Sequence, residues 1–248
     1  MDIRDTLSTE KNYKDGLMSN KEALQYFQEK LIKLQIDLDN GIENYKKPTI
    51  EVYHSTLATI LSYQRDILFA TYSSGASLSD FKEEYISFVA CLVPVWHKEW
   101  GYEQMVWALS IGVLLEIDEE IFEQLVDLVK KDDPEDYLID YLIQYRHPAW
   151  KIRINYNFPR PYGFTRKIIE EENSEQALKL LQEYLTKKWY QGSRDAGWYD
   201  LHKQNVKNHV GYWSFESGAI CKIRGLNYKE LEGIPYFPYD LIAERAEV

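Results

Sequence analysis

Only two cysteines, Cys91 and Cys221, occur in 248 residues, and both lie in apolar surroundings. Two are too few for a disulfide framework, so each reads as a small buried hydrophobe. Glycine and proline are scarce, at 12 and 8, which disfavours a turn-rich β-sandwich or a low-complexity linker. Positive charge is the minority: 29 Lys and Arg stand against 40 Asp and Glu, a net −11. General binders of nucleic acid or of anionic membranes need clustered cations, so this balance argues against both and favours a basic protein partner. The longest uncharged apolar runs, Tyr85–Trp96 and Gln104–Leu115, have 12 residues each. A helix that crosses a bilayer needs roughly 20. The opening Met1-Asp2-Ile3-Arg4-Asp5 shows no basic-then-apolar leader pattern, and a soluble cytoplasmic protein is expected.

Catalytic templates are missing as well. The chain has no Gly-x-Gly-x-x-Gly, Walker loop, Gly-x-Ser-x-Gly or His-Glu-x-x-His. Its five histidines, His54, His97, His147, His202 and His209, are never four apart, so no helical metal pair is evident. No enzyme activity, metal or cofactor is expected. His202, Glu216 and Asp240 are the one conceivable ligand set for a metal-dependent hydrolase. For Glu216, in an apolar helix, a hydrogen bond to backbone or to a tyrosine is the default. Cys221 has no adjacent base, which disfavours a thiolate nucleophile.

What is abundant is aromatic and helix-periodic. With 9 Phe, 7 Trp and 20 Tyr the chain is no disordered acidic tail. Residues 1–19 are unpatterned and expected to fray. Helical spacing starts at Ser19 or Asn20, with Leu24, Phe27, Leu31, Leu34 and Leu38 on one face and Asn40-Gly41 as the stop. A second helix runs from Pro48 to Ser74-Gly75, and a third from Ser79 to Trp100-Gly101, kinked at Pro94. Residues 102–117 are almost wholly apolar and predict a central buried helix. Asp118 caps the next, with Ile121, Leu125, Leu128 and Val129 inward, and Pro134 opens another that reaches His147. Residues 148–163, with three prolines, read as an extended connector. Helices follow at about 164–171, 175–191 (capped by Ser174), 198–208 and 212–224, then a proline-bounded turn at 233–241. No hairpin signal occurs. The expectation is an all-α, multi-helix bundle of roughly eight to ten helices. Residues 1–117 would form an N-terminal helical region and 118–248 a C-terminal one, packed as one unit.

Charge patterning points to a binding surface. Residues 116–140 hold eleven acids against Lys130 and Lys131, which is −9 of the total −11. Glu119, Glu123 and Asp127 share a helix face, a like-charge spacing that costs a few tenths of a kcal/mol per pair. Tyr137, Tyr141 and Tyr145 stack along the following helix. The expected partner contacts are therefore Glu116, Glu119, Glu120, Glu123, Asp127, Asp132, Asp133, Glu135, Asp136, Tyr137 and Tyr141. Competing readings are a solvated charge run and tyrosines packed on a neighbouring helix. Residues 141–169 carry no acid; Arg146, Lys151, Arg153, Arg160, Arg166 and Lys167 there either neutralise the acid segment internally or face solvent.

The C-terminal third carries distinctive strings: Trp198-Tyr199-Asp200-Leu201-His202-Lys203, Gly211-Tyr212-Trp213-Ser214-Phe215-Glu216-Ser217-Gly218, and Tyr236-Phe237-Pro238-Tyr239-Asp240-Leu241. Tyr63-Gln64-Arg65-Asp66, Tyr72-Ser73-Ser74-Gly75 and Trp100-Gly101-Tyr102 accompany them. Over about residues 20–242 the chain resembles the polymorphic nuclease immunity proteins, the PoNi family. That resemblance implies a helical cytosolic bacterial protein that binds and blocks a cognate DNase toxin of the PoNe type, delivered by type VI or related secretion systems. The shared aromatic, Gly and Pro motifs read as fold determinants, leaving specificity to the acid cluster. The alternatives are the metal-dependent hydrolase and a helical scaffold or adaptor, the latter lowered by the lack of a fixed-period repeat.

Overall fold

Helices form where the apolar spacing sets them, and the departures have local causes. The computed structural model describes residues 3–246, with side chains up to Ala243. Met1, Asp2, Glu247 and Val248 lie outside the described residues, and with them the first positions of the leader reading. Among the described residues there is helix and no strand, so the chain is all-α. None of these helices is long and apolar enough to cross a membrane. Packing divides the chain into two units. One takes the residues up to Trp96 together with Asp200–Gly211; the other takes His97–Tyr199 together with the residues from Tyr212 onward.

The first unit is built on α1 (Glu10–Asp39), α2 (Thr49–Ser73) and α3 (Leu78–Leu92). α1 starts well before Ser19: Thr9 Oγ1 accepts the Asn12 amide at 3.2 Å and caps it. This stretch has no apolar period because a single residue, Tyr13, is buried in it, with its ring 6.4 Å from that of His209. α1 closes at Asn40 and Gly41, whose φ of +66° suits glycine. α2 follows Pro48 and ends at Ser74-Gly75, as its stop signals indicate. Ser77, not Ser79, caps α3, accepting the Asp80 amide at 3.1 Å. α3 stops at Leu92 instead of kinking at Pro94, since proline offers no amide to continue the ladder. In place of a helix over 198–208 there are two short turns, Leu201–Gln204 and Val206–Asn208. His209 Nε2 lies 2.8 Å from Asp5 Oδ2, and Ser73 Oγ donates to the Val210 carbonyl at 2.7 Å.

The second unit surrounds α4 (Tyr102–Leu115), whose residues are buried except Glu103 and Gln104. Against it pack α5 (Glu119–Asp132), α6 (Tyr137–Gln144), and the helices Phe215–Ile223 and Asp240–Ala246. Further helices span Thr165–Glu170 and Ser174–Glu183, the latter running on through wider turns, Tyr184–Trp189, to Gly192. Asn173, rather than Ser174, caps it. α5 turns Phe122, Leu125, Val126 and Val129 inward, leaving Ile121 and Leu128 half-buried. α6 begins only after Asp136, its cap. Residues 145–158 are irregular, and Pro159–Tyr162 is a single turn. Gly218 sits where the Phe215–Ile223 helix meets α4: a Cβ there would lie 3.2 Å from Leu114 Cδ1 and 2.7 Å from Pro238 Cγ.

Candidate partner-binding site

The acid segment divides into buried and exposed members. Asp136 is fully buried. Its carboxylate accepts from the Leu138, Ile139 and Asn157 amides at 3.0, 3.2 and 2.8 Å and from the Tyr102 hydroxyl at 3.3 Å. Burial raises its pKa, and the amide donors oppose that rise. Tyr137 and Tyr141 are buried too; Tyr137 packs on Tyr156 at 5.3 Å and donates to Glu170 at 3.4 Å. These three residues therefore offer no contact surface, against the sequence expectation. The cause is that α6 is held between α4 and the Thr165–Glu170 helix, so its tyrosine row faces protein. Of that row only Tyr145 is exposed.

Asp140, also fully buried, shows where the basic stretch goes. Arg153 donates to it from Nε and Nη2, both at 2.7 Å, and from its own amide at 2.8 Å; Trp150 Nε1 adds a fourth bond at 2.9 Å. Two parallel N–H bonds in a fixed fork are the strong form of this pairing, and they raise the Arg153 pKa. Arg146 reaches back likewise, donating to the Ile117 carbonyl at 2.5 Å and to Glu119 at 3.4 Å. Internal neutralisation, one of the two readings of residues 141–169, is thus what Arg146 and Arg153 do.

The exposed acids lie on and around α5. Glu116 pairs with Lys222 at 2.8 Å, Asp127 with Lys130 at 3.0 Å and Asp133 with Arg153 at 2.5 Å, while half-buried Glu123 lies 2.6 Å from His147 through atoms that are themselves buried. The less exposed Asp132 accepts the Lys98 amide at 2.8 Å. Glu120 and Glu135 stand in solvent. The run is therefore partly compensated by cations from elsewhere in the chain. Exposed pairs of this kind contribute only about 0–1 kcal/mol, so an incoming cation can compete for them. Glu119, Glu123 and His147 bring ligand atoms within 4.8 Å of one another, the donor chemistry of a divalent-cation site, but Arg146 and Lys130 already supply positive charge there.

Three backbone positions in this segment are unusual. Glu116, Asp133 and Glu135 adopt φ of +48°, +41° and +50°. A side chain in that left-handed region costs about 1–2 kcal/mol.

The C-terminal motifs lie inside. Tyr212, Trp213, Ser214, Phe215, Glu216 and Ser217 are all buried, which fits a role in the fold. Glu216 Oε1 accepts from the Tyr184 hydroxyl at 2.8 Å and from Ser214 Oγ at 2.7 Å, the tyrosine partner expected for it. Oε2 has no hydrogen-bond partner among the described residues. Burial pushes the Glu216 pKa up to about 7, opposed by the Ser214 and Tyr184 bonds. His202 lies in the other unit, its ring 5.8 Å from that of His209. Burial drives the Cys221 thiol up to about 12, leaving almost no thiolate at neutral pH. Sequence reasoning missed Trp100 and Phe158, which are 68% and 46% exposed. Both fall in non-helical segments, where periodicity gives no signal; the cue was a large aromatic beside a Gly or Pro.

The fold and the site together define a helical protein with structural buried charge and an acidic, aromatic-bearing exterior. Models of the PoNe immunity protein (PoNi) family match both halves, the N-terminal one over residues 4–127 and the C-terminal one over residues 134–241. The chain belongs to the PoNi family, whose members are immunity proteins against PoNe nuclease toxins. Among solved structures it is similar to protein PA2201 from Pseudomonas aeruginosa. The TM-score is 0.62 at 19% identity, over 91% of this chain and 89% of that one, which shows a shared fold. No curated protein matches the chain.

Proposed function

We propose that this protein binds the nuclease domain of a cognate PoNe-type toxin in a stoichiometric complex and keeps it from DNA, without performing a reaction itself. A nuclease needs a positive groove for the phosphate backbone. The observation that carries the reading is the outer side of α5, where Glu119, Glu120 and Asp127 are exposed, with Glu116, Asp133 and Glu135 at its two ends. Such a face steers a cationic groove toward it, at best to association rates of roughly 10⁸–10⁹ M⁻¹s⁻¹. The pairs with Arg146, Lys130, Arg153 and Lys222 hold these carboxylates in place, and groove cations replace or extend those pairs on docking. Asp136, Tyr137 and Tyr141 position α6 beneath this face and make no contact with the toxin.

Charge reversal tests the reading at residues whose loss leaves the fold intact. Glu120 is exposed and Asp127, among the described residues, pairs with the neighbouring Lys130, so Glu120→Lys with Asp127→Lys is expected to keep the far-UV spectrum. The double variant should bind the toxin domain at least tenfold more weakly in calorimetry. An unchanged affinity removes α5 from the interface.

A further inference from the structure

Within the second unit, α5 and the segment that follows α6 bring three donor groups together. Glu119 and Glu123, one helical turn apart on α5, and His147 have ligand atoms within 4.8 Å of one another. His147 Nε2 lies 2.6 Å from Glu123 Oε1 and 3.9 Å from Glu119 Oε1. Nε2 and Glu123 Oε1 are both buried and, close as they are, make no hydrogen bond among the described residues. The imidazole is fixed by its surroundings. Its ring stacks on that of Phe122 with 6.4 Å between centres, its amide donates to the Ile143 carbonyl at 3.0 Å, and its carbonyl accepts the Trp150 amide at 2.7 Å. The neighbouring cations touch the other carboxylate oxygens: Arg146 is 3.4 Å from Glu119 Oε2, and Lys130 is 3.6 Å from Glu123 Oε2. Each has a closer partner elsewhere, Arg146 in the Ile117 carbonyl at 2.5 Å and Lys130 in Asp127 at 3.0 Å.

We propose that Glu119, Glu123 and His147 bind one divalent transition-metal ion of the zinc class. Magnesium and calcium take oxygen ligands, whereas an imidazole nitrogen beside the carboxylates favours zinc and its neighbours. Three protein ligands leave zinc a fourth position for water. Zinc bonds to these donors are about 2.0–2.2 Å long, so in a tetrahedron the donor atoms stand about 3.4 Å apart. Reaching that spacing moves Glu123 Oε1 away from Nε2 by less than about 1 Å and Glu119 Oε1 inward by about half as much, shifts that side-chain torsions on α5 supply. Buried polar atoms are costly unless bonded, and an ion shared with Glu119 bonds both Nε2 and Glu123 Oε1. Two carboxylates match the charge of the ion. Arg146 and Lys130 hold the outer oxygens, and partners of that kind orient ligating carboxylates. The histidine spacing carries no sign of this site, because its helical pair is made of glutamates and the histidine arrives from beyond α6. The proposal goes beyond the immunity function and does not rest on it.

The test titrates zinc chloride into the full chain by calorimetry while the imidazole resonances of His147 are followed. One ion should bind per chain and shift those resonances with the same stoichiometry, and an excess of magnesium should leave the binding unchanged. Changes to outer-shell partners alone cost about 10–100-fold in metal affinity, so His147→Gln, Glu119→Gln and Glu123→Gln should each weaken zinc at least tenfold, with helicity checked for each. His97→Gln should keep wild-type affinity, since it removes a histidine–carboxylate contact elsewhere, 3.8 Å from Asp132. No binding by wild type overturns the site. So does displacement of zinc by magnesium, which reduces it to diffuse attraction by an acidic surface. A loss confined to His147→Gln reduces it to a single surface histidine, and a loss in His97→Gln places the ion elsewhere; either result overturns the assignment. No toxin enters the measurement, so the outcome is separate from that of the immunity reading.

Discussion

Replacing Glu216 by glutamine should remove a dependence of stability on pH that the fold builds into the wild type. The side chain is fully buried, and its pKa rises from 4.5 to about 7 because burial disfavours the anion. Tyr102, Tyr162 and Tyr184 surround it, the Glu103 charge adds to the rise, and the bonds from Ser214 and Tyr184 limit it. A raised carboxyl pKa means that the folded state holds a proton the unfolded chain has released. The stability this group contributes is full below pH 4.5 and is lost as pH climbs through about 7. At 1.36 kcal/mol per pKa unit the total loss is about 3 kcal/mol. Glu216→Gln removes the titration while keeping the shape and the acceptor for Ser214 and Tyr184. Its amide NH₂ takes the place of unpartnered Oε2, a cost of about 1–3 kcal/mol that is the same at every pH. The readout is therefore the difference between variant and wild type, from urea unfolding followed by tryptophan fluorescence at pH 4.5, 6 and 8. The variant should gain about 3 kcal/mol on wild type across that range, most of it between pH 5 and 7. A difference that stays flat with pH would refute the argument that burial governs this carboxyl.

Other perturbations read different parts of the structure. Gly218→Ala should destabilise by about 1–3 kcal/mol, because the added methyl meets Leu114 and Pro238, whereas helix propensity alone favours alanine; thermal unfolding gives the sign. Arg153→Met leaves Asp140 charged and buried and should cost about 3–5 kcal/mol, while adding Asp140→Asn recovers much of the loss in chemical denaturation. Glu135→Gly should stabilise by about 1 kcal/mol by relieving its φ of +50°, yet weaken toxin binding if that charge meets the partner; calorimetric melting and titration measure the two effects separately.

What the sequence made legible is local. The uniform apolarity of α4 required burial on all sides, and Gly41 and Gly75 closed α1 and α2 because only a residue free to take positive φ ends a helix cheaply. The start of α1 was hidden because one buried tyrosine and a distant segment, Val206–Val210, hold it, and neither leaves a period. The acid run misled for a related reason. Asp140 and Glu119 look alike in sequence, and their fates depend on Arg153 and Arg146 arriving through an irregular connector. Asp136 and Tyr137 continue the acid run in sequence, yet as cap and first residue of α6 they are drawn beneath the surface. Trp100 carried no periodic cue, since its exposure depends on a turn that Pro94 imposes.

The central claim is that a negatively charged face meets the toxin's DNA groove. The most direct measurement is a titration of the toxin's DNA cleavage with wild-type protein and with the Glu120→Lys, Asp127→Lys variant. Wild type should abolish cleavage at one equivalent, with an association rate that falls steeply as salt rises; the variant should need at least tenfold more protein and lose the salt dependence. Full inhibition by the variant at one equivalent, with an unchanged salt response, would contradict the account.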